Sequence, residues 1–140
     1  MTTVVRRICF SAGHRVWGHE HECANIHGHN YTVFVHATAD RLDEVGRVID
    51  FRVLKKRIGG WIGANWDHAF ICHKDDREVH EALASIPGQK VFLLDANPTA
   101  ENLAAHLLRV VGPQELAGTG VRMVRVVLWE TENCYAEVTV

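Results

Sequence analysis

Neither sign of charge dominates these 140 residues: fifteen Lys and Arg stand against seventeen Asp and Glu, a formal charge of −2. A chain so balanced has no global positive field to hold a polyanion such as DNA, so nucleic-acid binding is excluded as a first reading. No apolar run approaches the roughly 20 residues that span a bilayer, and the N-terminus shows no apolar signal segment. The four cysteines, Cys9, Cys23, Cys72 and Cys134, are scattered and form no CxxC pair, so the cytoplasm is the expected compartment. Internal repeats and low-complexity tracts are absent as well.

What is present is the composition of an ordinary folded protein, 47% hydrophobic and 23% charged, at a length that suits one domain over residues 1–140. Val4, Ile8 and Phe10 share one parity, which predicts a strand over Thr3 to Ser11. Arg15 to Ile26 has no periodicity and reads as a loop, and His27 to Ala39 reads as a second strand. Asp50 is placed to cap a helix whose buried stripe is Phe51, Leu54, Ile58, Trp61 and Ile62, with Gly63 as its stop. Ala64 to Pro98 is irregular, with a short helix near Glu78 to Ala84 and an apolar patch from Val91 to Leu94. A second long helix opens at Pro98 or Thr99 and ends at Gly112-Pro113. Val121 to Glu130 and Cys134 to Val140 read as two further strands. The element order ββααββ predicts an α+β fold, a four-stranded antiparallel sheet with two helices on one face. Such a sheet keeps two free edges, so a homo-oligomer is expected.

Half of the ten histidines fall between His14 and His29. His27 and His29 share a strand face with Tyr31, Val33 and Val35 and stand about 6–7 Å apart at the backbone, which lets both rings reach one ion. His14 closes the preceding strand, where an antiparallel partner brings it beside that pair. Three neutral imidazoles with an open position make a catalytic rather than a structural Zn2+ site. His19 and His21 are rival ligands in the loop, more simply read as surface residues. A Cys-His zinc knot on Cys23, His27 and His29 lacks a second cysteine. Glu130 continues the alternation of Val124, Val126 and Leu128, so its carboxylate belongs to an apolar face and needs a partner there. Local basic clusters at Arg6-Arg7 and at Arg52, Lys55, Lys56 and Arg57 read as solvated faces able to attract a phosphorylated small molecule.

Phe10-Ser11-Ala12-Gly13-His14 followed by Cys23-Ala24-Asn25-Ile26-His27-Gly28-His29 resembles the 6-pyruvoyltetrahydropterin synthase and 6-carboxytetrahydropterin synthase family. The likeness continues in order through Val48-Ile49-Asp50-Phe51, Trp66-Asp67-His68, Asn97-Pro98-Thr99-Ala100-Glu101-Asn102 and Trp129-Glu130-Thr131. The resemblance implies a tunnelling-fold subunit, zinc on His14, His27 and His29, and Cys23 as catalytic base. It implies that Asp67 and His68 complete a relay and that Glu130 anchors the pterin or joins that relay, with Thr99 and Glu101 as further pterin contacts or mere helix caps. The implied reaction is the lyase conversion of 7,8-dihydroneopterin triphosphate to 6-carboxytetrahydropterin, on the route to queuosine. The alternatives are 6-pyruvoyltetrahydropterin formation, a non-catalytic pterin-binding module and a structural zinc protein. The implied assembly is a hexamer, a dimer of trimers, with Glu130 of one subunit reaching the zinc site of another.

Overall fold

The structure is a computed structural model and describes residues 1–18 and 22–140. His19 and His21 therefore lie outside the described residues. Strand β1 (Thr3–His14) and strand β2 (His27–Ala39) run antiparallel in full register, from Thr3 opposite Thr38 to His14 opposite His27. A short 3₁₀ turn, Glu22–Ala24, sits in the connection. Helix α1 (residues 51–65) follows, then β3 (Ala69–His73), α2 (Arg77–Ala84), β4 (Val91–Leu94), α3 (residues 100–115), β5 (Val121–Thr131) and β6 (Cys134–Thr139).

The expected four-stranded antiparallel sheet with two helices on one face is incorrect. The sheet has six strands in the order β4-β3-β1-β2-β5-β6 and is mixed, because β3 lies parallel to β1 and β4 parallel to β3. These two strands are five and four residues long, too short for an alternation to register. Ala69 to Cys72 is buried at every position, the continuous apolar run of a parallel strand covered on both faces. A third helix supplies the second cover: Val79 of α2 packs on Phe70 and Cys72, while Ile71, of opposite parity, joins the main core.

That main core lies between the other sheet face and α1 with α3. Val33 and Val35 of β2 and Leu128 of β5 meet Leu54, Ile58 and Ile62 of α1 and Leu103, Leu107 and Val111 of α3. The Asp50 side chain accepts from the Arg52 N–H and caps α1, and the Thr99 hydroxyl caps α3 through Asn102. Both helices outlast their expected stops. Helix α1 continues past Gly63 to Asn65 because a glycine inside a helix costs only about 1 kcal/mol, which the core contacts outweigh. Helix α3 passes Gly112-Pro113 to Glu115 by inserting a π turn over Leu107–Val111, so that Gly112 donates to the Leu107 carbonyl and the ladder re-registers ahead of the proline. A Cβ at Gly112 would sit 2.8 Å from Met123 Sδ, so a larger residue there would have to push the Met123 side chain aside. No helix among the described residues is long and apolar enough to cross a membrane.

Candidate metal centre and active site

His14, His27 and His29 stand on the core face at the open end of the β1–β2 pair, on the parity that carries Tyr31 and Phe10 deeper in. Their ligand atoms all lie within 4.8 Å of one another. His14 is 2% exposed, and His27 and His29 are half-buried. Two backbone carbonyls settle the tautomers, because a carbonyl only accepts. His14 Nδ1 donates to Pro98 O at 2.7 Å and His27 Nδ1 donates to Asn25 O at 2.7 Å. Both Nε2 atoms are thereby left as lone pairs, and they face each other at 3.0 Å.

Two lone pairs at that distance repel unless a cation sits between them. The third ring adds to the case: His29 Nε2 is buried and has no hydrogen-bond partner among the described residues. Burial holds the His14 and His29 rings below the ordinary histidine pKa, so they are neutral at pH 7 and free to donate electron pairs. The donor set thus fits a divalent metal held by three imidazoles. Tyr31 lies beneath it, its hydroxyl 3.4 Å from His14 Nδ1, and burial pushes its phenol pKa far up, so it stays neutral.

Glu130 stands on the same face at the end of β5, one oxygen 3.6 Å from His29 Nε2 of its own chain. The β2–β5 pairing delivers Glu130 to His29 of its own chain, whereas the resemblance implied a Glu130 reaching across subunits. Cys23 lies in the loop that leaves β1 after His14 and re-enters at His27, its thiol exposed and its carbonyl accepting from Val16 N–H at 2.8 Å. Thr99 caps α3 at 3.2 Å from Asn102 N, while Glu101 is exposed in the first turn.

Asp67 and His68 go elsewhere. Their side chains meet at 3.1 Å, Ser11 N–H donates to Asp67 Oδ1 at 3.0 Å, and His68 N–H donates to Ser11 O at 2.6 Å. His68 has a φ of 60°, the left-handed region, and is the one non-glycine residue there among those described. Its side chain is 82% exposed and lines a shallow hollow with Ser11, Ala12, Gly13, Gly28, His29 and Asn30. Ser11, Gly13, Gly28 and Asn30 have the parity opposite to the metal-site histidines, so the pair opens on the other face of the sheet, although Ala12 and His29 line the hollow too.

The sequence reading missed three partners of the site. Pro98 orients His14 through its carbonyl, Asn97 bonds the loop beyond His14 at Trp17, and Arg15 pairs with Asp76, a carboxylate only 1% exposed, at 2.6 Å. Asn97 and Pro98 stood within a quoted motif, but backbone acceptors leave no periodic signal.

Comparison with known proteins places this geometry in context. Residues 3–140 match the sequence profile described as 6-pyruvoyl tetrahydropterin synthase. The chain is 40% identical over 138 residues to the 6-carboxy-5,6,7,8-tetrahydropterin synthase of Rickettsia felis, covering 99% of this chain and 100% of the relative. An uncharacterized protein from Wolinella succinogenes has a similar structure, with a TM-score of 0.82 and 24% identity over 99% of this chain and 97% of that one. The Caenorhabditis elegans 6-pyruvoyl tetrahydropterin synthase shares the fold at a TM-score of 0.72 and 21% identity, over 99% and 95% of the two chains.

Proposed function

The chain belongs to the 6-pyruvoyl tetrahydropterin synthase family, and from that premise we infer that it is an enzyme, a 6-carboxy-5,6,7,8-tetrahydropterin synthase. Its substrate on this reading is 7,8-dihydroneopterin triphosphate, and its products are 6-carboxytetrahydropterin, acetaldehyde and triphosphate, made in the cytoplasm for queuosine and related 7-deazapurines. The observation that carries the site is the convergence of three Nε2 atoms on a single point, one of them with no hydrogen-bond partner among the described residues.

His14, His27 and His29 would hold a zinc ion, which when bound would supply Lewis-acid chemistry that acidifies the C–H beside the substrate side-chain hydroxyls. Cys23, on the loop between two of the ligands, takes that proton as thiolate. Asp67 orients the His68 ring, and His68 exchanges the proton with the thiol or substrate. Glu130 accepts the paired N–H donors at the guanidine-like edge of the pterin, the partner its half-buried carboxylate needs. Thr99 and Glu101, in the first turn of the helix that follows Pro98, are further pterin contacts on this reading.

Because His68 opens on the face opposite to the metal ligands, the relay that serves one chain's Cys23 comes from another copy. Assembly has the means: β1 has β3 beside it only from Ala12 to His14, so its earlier residues form a free edge, and β6 is a second one. Pairing of such edges in a ring of three, doubled to a hexamer, is the assembly we assign. The test is zinc content measured together with turnover of dihydroneopterin triphosphate. About one zinc per chain, with acetaldehyde released, supports the reading. Triphosphate release without acetaldehyde would redirect it to the pyruvoyl product.

A further inference from the structure

Asn97 forms the densest set of hydrogen bonds near the metal site, and none of the chemistry above uses it. Its carboxamide pairs with both backbone groups of Trp17: Trp17 N–H donates to Asn97 Oδ1 at 2.9 Å, and Asn97 Nδ2 donates to Trp17 O at 2.9 Å. Its own carbonyl accepts from Thr99 N–H at 2.9 Å and from Asn102 Nδ2 at 2.9 Å, which fixes it to the first turn of α3. The next residue, Pro98, supplies the carbonyl that orients His14. One short segment therefore holds a metal ligand by its ring and, three residues further on, the loop by its backbone.

The same stretch is tied twice more. Arg15 pairs with buried Asp76, and Val16 N–H donates to the carbonyl of Cys23. Arg15, Val16 and Trp17 thus make a strap with three successive anchors, and the middle anchor is Cys23 itself. We propose that Asn97 is a positioning residue, a clamp that sets the place of the Cys23 thiol relative to the histidine cluster by closing the loop at Trp17. The chemistry demands asparagine. Pairing with an N–H and a C=O of one residue requires a donor and an acceptor on one planar group, so Asp loses the donor and Ala loses both. Gln keeps both but carries them one methylene too far out. Misplacing a reacting group by about 1 Å costs about 10²-fold in rate, so the clamp acts on kcat rather than on substrate binding.

The proposal rests on the reading of Cys23 as base, and the experiment separates the two. Asn97→Ala and Asn97→Asp are compared with the native enzyme for zinc content, kcat, KM and backbone amide exchange at Val16 and Trp17, each also in a Cys23→Ala background. The expected result for Asn97→Ala is faster exchange at both amides, zinc kept at about one per chain, KM within about threefold and kcat down about 10²-fold, with Asn97→Asp between. In the Cys23→Ala background the residual rate then falls no further, because the clamp acts through the thiol. Unchanged exchange at Trp17, loss of zinc, or a full further loss in the Cys23→Ala background would each overturn the proposal. Native turnover by Cys23→Ala alone would sink the reading of the base, and with it the catalytic half of the clamp, whatever the exchange shows.

Discussion

The two faces of the β1–β2 pair carry different kinds of histidine. On the core face, His14, His27 and His29 are held by burial and by carbonyls of their own chain, and the cluster is complete without help. On the other face, His68 is exposed, sits in a left-handed backbone conformation, and has only Asp67 as a side-chain partner among the described residues. The contrast teaches that a ligand set for a metal can be built within one subunit, where dry surroundings keep imidazoles neutral. A proton relay must instead stay reachable, and the exposed His68 ring meets that requirement.

The largest expected effect tests the self-sufficient face. Removing one imidazole by His27→Ala should drop zinc from about one per chain to near zero and abolish turnover, as read by metal analysis; zinc retained at full stoichiometry would mean that the histidines are not the ligands. On the exposed face, His68→Ala should keep its zinc and lose about 10²- to 10⁴-fold in kcat, the usual share of a general acid or base. A variant that lost zinc instead would erase the distinction between the faces.

A smaller effect concerns the frame shared by both. Arg15 and Asp76 form a nearly buried pair, and the hydrogen bonds from Arg15 hold the Asp76 carboxyl below its usual pKa. Asp76→Ala should cost about 3 kcal/mol in denaturant unfolding, because it strands the guanidinium. The sign with pH follows from the lowered value: the stabilisation is in place above about pH 4, the unfolded carboxyl's pKa, and is lost as pH falls through the depressed folded value. The variant's stability should therefore converge on that of the native protein in acid. Least of all, Thr99→Ala should cost about 1 kcal/mol as a lost helix cap. A KM that rises as well would make Thr99 a pterin contact too.

The two faces were also unequally legible in the sequence. The HxH spacing on β2, together with His14 closing β1, announces the metal cluster because strand parity alone puts the rings on one side. Strand β2 was read to its correct ends for the same reason. Strands β3 and β4 were not read, since a short run buried on both faces has no alternation, and with them went the mixed sheet; the short helix between them was read near Glu78 to Ala84 but given no place in the fold. That loss hid where His68 points: its face follows from the parallel pairing of β3 with Ala12 to His14, a contact between segments far apart in the chain. Glu130 was placed on the right face by parity, but its nearness to His29 of the same chain was not legible, because the β2–β5 pairing that brings them together is equally non-local.

On the function proposed above, one subunit brings the metal and thiol and another brings the relay. Mixing tests it directly: Cys23→Ala and His68→Ala, each inactive alone, are unfolded together, refolded as a mixture and assayed for turnover. Activity should return to a fraction of the native rate, because some interfaces then join an intact thiol to an intact relay. A mixture as dead as either parent, although light scattering shows assembled oligomers of both chains, would contradict it.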